Sequence, residues 1–376
     1  MTASGATLYA MAMDVIGHGG ILRELAALAA SGDPPHALIF AGPEGTGRTI
    51  LARHWAQLLS CERGSGARAG QPASLFGDDQ PPPASGPVPC GVCRPCRHIA
   101  EGNHPDVIIL GPGDTLCRPR ASDSGHASHA LSRDIRICQV RGVIELVARY
   151  PYEATNRVIV VEPSDKLSRD ASHTILKTLE EPPGHTYFVL VTAAPEAMLE
   201  TIISRCRRID VPPVPRAEIE EGLLARGTEP ALAARAASES RGRPARARAF
   251  AAKPDLMGDR ERLLARCAKV ASARLTERFT YAKDLHERWQ RDRQPVLTEL
   301  DAWEVFWEMN LRESAAPGRG RADGQAGFVD ALKAVTRARA DLQANVTPRG
   351  ALELMLLCFP RVTLAESPGE ESEEHA

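Results

Sequence analysis

HALIFAGPEGTGRT, residues 36–49, is a short apolar run that passes directly into a glycine-rich loop, and an amphipathic pattern follows it. Strand, then G-x-x-x-x-G-K-[ST], then helix is the context of a phosphate-binding loop. Gly42, Gly45 and Gly47 leave room for successive backbone N–H groups to wrap phosphate oxygens, and Thr49 stands where a hydroxyl would hold Mg²⁺. Position 48 departs from the pattern. Where a compact lysine ammonium should reach the β- and γ-phosphates, the chain has Arg48, whose broad planar fork does not replace a point charge in a tight cradle.

A hydrolysing site of this type also needs an acidic pair at the end of a second strand, one carboxylate for the metal and one for the water. Here the strand RVIVV at 157–161 ends in Glu162-Pro163. Glu162 can face a metal, but Pro163 offers no carboxylate. Two positions have therefore failed independently, and the expectation is a loop kept as architecture after its hydrolytic chemistry was lost.

Outward from the loop, HALIFA, DVIIL, RVIVV and YFVLVT read as strands buried on both faces, separated by amphipathic stretches such as 135–149 and 168–180. Strands alternating with helices predict an α/β domain with a parallel sheet covered on both sides. Ser168 is a candidate cap, Ala171, Ile175 and Leu179 share a face, and Pro182-Pro183 stops the helix. Segments 62–89 and 111–133 lack apolar periodicity and read as mobile surface insertions. Strand signals fade after about residue 210. A short helical unit at 213–253 and a longer one at 254–364 follow, and the acidic tail 365–376 reads as disordered.

Length 376 suggests two or three domains, and hydrophobic residues at 43% allow real cores. A net charge of -2 argues against a uniformly basic nucleic-acid binder. No apolar run reaches a membrane span and the N-terminus lacks a signal-peptide pattern, so a cytoplasmic location is expected. Among nine cysteines, CGVCRPC sets Cys90, Cys93 and Cys96 at C-x-x-C-x-x-C spacing, which presents thiolates to one tetrahedral ion. Cys61 is the candidate fourth ligand because the 28 residues before Cys90 look like a flexible loop whose ends can meet at modest entropic cost; His98 and His104 are its rivals. The expectation is structural Zn²⁺, since four thiolates leave no open position.

In order along the chain, the degenerate loop, CGVCRPC followed by NHPD, then ILKTLEEPP and ISRC resemble the delta-prime family of bacterial DNA polymerase III clamp-loader subunits. The resemblance is dense over 14–212 and resumes at LQANVTPRGALELMLL. It implies an AAA+ ATPase-like domain at 1–212 carrying the zinc module at 61–96, an all-α lid at 213–253, and an all-α collar at 254–364 that joins a ring. It further implies a stator without hydrolysis of its own. Arg205, within Ser204, Arg205 and Cys206, becomes a finger directed at ATP on a neighbouring motor subunit. The implied partners are the gamma/tau and delta subunits, the sliding clamp and, through the complex, primer-template DNA. Cys61, Cys90, Cys93 and Cys96 carry over as zinc ligands, Thr192 matches a sensor position, and Arg246 is a candidate sensor arginine in the lid.

Two other readings compete. An active motor of gamma/tau type would need the loop lysine and the paired acidic strand end, which Arg48 and Pro163 replace. A zinc-dependent nucleic-acid binder would be expected to interleave aromatics with a basic groove, yet aromatics are 5% of the chain.

Overall fold

The computed structural model describes residues 15–62, 88–120, 132–314, 322–343 and 347–362. Most of the segment read as an insertion at 62–89, the centre of the one at 111–133, and the tail 365–376 lie outside the described residues. The chain divides into two compact units at Lys253/Pro254.

In the first unit, β1 (Ala37–Ala41), β2 (Val107–Leu110), β3 (Arg157–Val161), β4 (Thr186–Thr192) and β5 (Arg207–Asp210) form one parallel sheet in the order β2-β3-β4-β1-β5. Successive side chains of a strand point to opposite faces, so a strand covered on both sides reads as continuously apolar. Leu38, Phe40, Val158, Val160, Val189 and Val191 meet Leu25 of α1 (Gly19–Ala30), Leu51 and Trp55 of α2 (Arg48–Ser60), and Ile99 of α3 (Arg94–Glu101). The alternate residues Ile39, Ile159, Val161, Phe188 and Leu190 meet Val140 and Val143 of α4 (Ile137–Val147), Ile175 of α5 (Arg169–Glu180), and Ile202 of α6 (Glu200–Ile203). Each such large side chain contributes roughly 1.5–3 kcal/mol on burial.

The expected parallel sheet is present, with four strands where the apolar runs put them. The fifth, RRID, gave no apolar signal because it lies at the sheet edge and buries only Ile209. Ser168 does cap α5, accepting the Ala171 N–H at 3.3 Å. Part of the stretch read as an insertion is tied down instead: the Arg118 N–H donates to the Cys138 carbonyl at 2.7 Å, and Gln139 Nε2 donates to the Gly111 carbonyl at 2.9 Å. In NHPD, Asp106 accepts the N–H groups of Tyr152, Glu153 and Ala154 at 2.6, 2.7 and 2.9 Å and pairs with buried Arg157 at 3.4 Å. Burial pushes its carboxyl pKa up, but those donors and the guanidinium outweigh burial and hold it below the usual range.

After β5 come α7 (Arg216–Leu224), α8 (Pro230–Ser240) and α9 (Pro244–Ala252). The second unit is helical: α10 (Asp255–Ser272), α11 (Leu275–Arg291), α12 (Arg293–Ser314), α13 (Ala322–Gln343) and α14 (Pro348–Leu357). Its core is built around fully buried Trp303 and Trp307, with Leu285, Leu300, Val335 and Leu352 packed among them. Phe359 lies 4.6 Å from the Trp303 ring centroid. Buried within it, Glu299 accepts the Tyr281 hydroxyl and pairs with Arg288 at 2.7 Å, and Trp303 Nε1 donates to the Tyr281 hydroxyl at 3.1 Å. No helix among the described residues is long and apolar enough to cross a membrane.

Candidate functional site

The phosphate loop spans the C-terminal end of β1 and the start of α2. Gly45 and Gly47 have φ of 80° and 107°, the left-handed region that glycine enters without strain, and Gly47 caps α2. Gly42 is required by proximity: a Cβ there would sit 2.1 Å from the Val211 carbonyl oxygen. Three of the loop's carbonyls accept hydrogen bonds from within the chain. Thr46 Oγ1 donates to the Pro43 carbonyl at 2.8 Å, His18 Nε2 donates to that of Thr46 at 2.7 Å, and the Ala245 N–H of α9 donates to that of Gly45 at 3.2 Å.

Arg48 is half-buried in the first turn of α2. Burial lowers its pKa, while the carboxylates of Glu162, Glu44 and Asp165 pull the other way. Thr49 Oγ1 donates to Glu162 Oε1 at 2.5 Å, so the two residues matched to metal binding do meet. Sequence reasoning missed Asp165. It follows Glu162 by three residues, and one turn of 3-10 helix over Ser164–Lys166 brings its carboxylate to Thr192 Oγ1, which donates to Oδ1 at 2.8 Å. The Asp in EPSD was the available signal. A Cβ on Gly45 would lie 3.4 Å from the Cβ of Arg243, the N-cap residue of α9, so Arg243 packs against the loop.

The sulfurs of Cys61, Cys90, Cys93 and Cys96 lie within 4.8 Å of one another. Tetrahedral Zn–S bonds of about 2.3 Å would set the sulfurs about 3.8 Å apart, so the donor set fits such an ion with little adjustment. Two helices build the site: Cys61 ends α2, while Cys93 precedes α3 and Cys96 lies in its first turn. The N–H of Cys90 donates to Cys61 Sγ and that of Cys93 to Cys90 Sγ, each at 3.3 Å. Gln57 Nε2 donates to the Cys96 carbonyl at 2.7 Å and ties the two helices together. Cys61 completes this group, and the rivals His98 and His104 stand outside it.

Ser204 follows α6, and Arg205 and Cys206 lead into β5. Cys206 packs against the sheet core, where burial pushes its thiol up to about 12, so it is a protonated anchor. Arg205 is 35% exposed. Its Nη1 donates to the Thr201 carbonyl at 2.8 Å and its Nη2 meets Glu180 Oε1 at 2.5 Å. These partners lie on α5 and α6, apart from the chain's own phosphate loop.

Residues 17–215, which contain the loop, the cysteine group and Arg205, match the family described as "DNA polymerase III, delta subunit". The chain belongs to this family. A DNA polymerase III subunit delta' of Pseudomonas aeruginosa is 31% identical over 171 residues, covering 46% of this chain and 41% of that protein. The delta' subunit of Bacillus subtilis is 28% identical over 198 residues, 53% of this chain and 48% of that one. The tau subunit of Escherichia coli is 32% identical over 193 residues, 51% of this chain and 24% of its own length. The matches thus span less than half the length of each of these relatives. As a DNA polymerase III delta'-type subunit, the chain has relatives of both the delta' and the tau kind over one region, and differences at single positions must separate them.

Proposed function

We propose that this chain is the stator of a DNA polymerase III clamp loader, inactive as an ATPase and supplying Arg205 to ATP on a neighbouring gamma/tau subunit. The observation that carries the reading is Arg48: the lysine position holds a half-buried guanidinium within reach of the fields of Glu162, Glu44 and Asp165. In this reading 1–212 is the AAA+ ATPase-like domain, 213–253 the lid and 254–364 the collar. The four cysteines hold structural Zn²⁺, which supplies cross-linking rather than chemistry. Delta, the sliding clamp and primer-template DNA complete the assembly, in the cytoplasm. An arginine delivered in trans to a transferring phosphoryl group is worth about 10³–10⁵ in rate in well-studied cases.

Asp165 favours a second reading, an active gamma/tau-type motor, because it supplies, beside Glu162, a second carboxylate whose field reaches Arg48 in the loop, where Pro163 offers none. Steady-state ATP hydrolysis separates the two. The purified chain alone is expected to show none, and Arg48→Lys alone none either. Addition to motor subunits and clamp is expected to stimulate turnover. Robust hydrolysis by the isolated wild-type chain would sink the stator reading.

A further inference from the structure

Glu180 is the last residue of α5, and Pro182-Pro183 fixes where that helix stops and hence where the carboxylate emerges. It is 47% exposed, and its one ion-pair partner among the described residues is Arg205. The guanidinium is gripped at two points: Nη2 by Glu180 at 2.5 Å and Nη1 by the Thr201 carbonyl at 2.8 Å, with Ser204 Oγ at 3.5 Å from the same nitrogen. Among the described residues no hydrogen bond of Arg205 Nε is found, and the guanidinium stays 35% exposed. A long side chain that must meet a phosphoryl group on another subunit otherwise loses its rotamer freedom at the moment of encounter.

Resting on the finger reading above, we propose that Glu180 is a positioning residue for Arg205. It holds the guanidinium extended and oriented before the neighbouring subunit docks, and its contribution is preorganisation. The opposite effect, a carboxylate competing with phosphate for the same arginine, would carry the opposite sign in experiment. Arginine pairs with carboxylate through charge-assisted hydrogen bonds stronger than neutral ones, so an amide should hold it less well.

The test is ATP hydrolysis by the full reconstituted loader, with motor subunits, clamp and primed DNA, after confirming assembly by size-exclusion chromatography. Glu180→Ala is expected to lower kcat about fivefold, the most an exposed pair worth about 1 kcal/mol can supply as preorganisation, with KM for ATP changed by less than about twofold. Glu180→Gln, which keeps length and an acceptor oxygen, is expected to lose about threefold and guards against an alanine variant that fails to assemble. In an Arg205→Ala background, Glu180→Ala is expected to add nothing, since it acts only through that guanidinium. A wild-type kcat for both Glu180 variants, a rise in kcat, or an equal loss in the Arg205→Ala background would overturn the proposal. If instead Arg205→Ala leaves hydrolysis intact, the finger reading fails and the positioning role falls with it.

Discussion

Arg48 is drawn into the fold at the first turn of α2, while Arg205, anchored through its neighbour Cys206, keeps its guanidinium at the surface between α5 and α6. Surface exposure has a consequence for variants. Arg205→Ala is expected to leave the melting temperature and ring assembly unchanged, because exposed ion pairs contribute at most about 1 kcal/mol. In the assembled loader it should slow the neighbour's hydrolysis by about 10³-fold through lost charge stabilisation. Arg205→Lys is expected to rescue poorly, since an ammonium cannot bridge two oxygens with a fixed fork. Arg207 and Arg208 are the internal controls. They lie on edge strand β5 and pair with Glu24 and Asp210, each at 2.8 Å, so their alanine variants should be nearly silent. If all three alanine variants behave alike, the finger assignment is wrong. At this scale Arg48, Pro163 and the Ser-Arg-Cys order were legible directly. Asp165 and Glu180 were not, because their roles depend on a 3-10 turn and on two helix ends meeting.

The cysteine site is an element-scale device. It joins the end of α2 to the start of α3 across a segment of 28 residues, and neither helix alone could close it. Elemental analysis of the purified chain is expected to find one zinc per molecule. Cys93→Ser should lower thermal stability and solubility while leaving partner-stimulated ATP hydrolysis to scale with the folded fraction. Loss of a structural metal belongs with the mechanisms that cost more than about 4 kcal/mol. Cys61→Ser should lose the metal too. If it retains full zinc, a histidine supplies the fourth ligand and the four-sulfur site is wrong. The C-x-x-C-x-x-C spacing was readable because a tight turn places all three thiolates locally. The choice between Cys61 and the histidines was not, because chain separation says nothing of where a long loop's ends meet. The same holds for α5, whose Ser168 cap and proline stop could be read locally, and for β5, which pairing at the edge of β1 makes a strand despite two exposed arginines.

The whole molecule is two compact units with separate cores, the first layered on a parallel sheet and the second around Trp303 and Trp307. Separate cores predict separable unfolding, because multi-unit chains depart from a single two-state transition. Glu299→Ala removes the acceptor of the Tyr281 hydroxyl and the partner of Arg288 inside the second core. Arg288 is 28% exposed and keeps Asp284 as a partner, so the loss is chiefly that of the buried Tyr281 hydroxyl's acceptor, about 1–3 kcal/mol. Calorimetry of the full chain is expected to show one transition shifted down and the other unmoved; a uniform shift of a single transition would contradict independent cores. The sequence by itself determined the class of the first unit, since continuous apolar runs separated by amphipathic helices can be buried only as parallel strands covered on both faces. It also determined the glycine requirement of the loop and the loss of its lysine, which are local properties of single residues. Only the tertiary structure decided the strand order that sets β1 between β4 and β5, the approach of Arg243 to Gly45, the return of Asp165 to Thr192 and the grip of Glu180 on Arg205. Each of these joins groups distant in the chain or at the ends of different elements, and such meetings are fixed by packing, which no local pattern encodes.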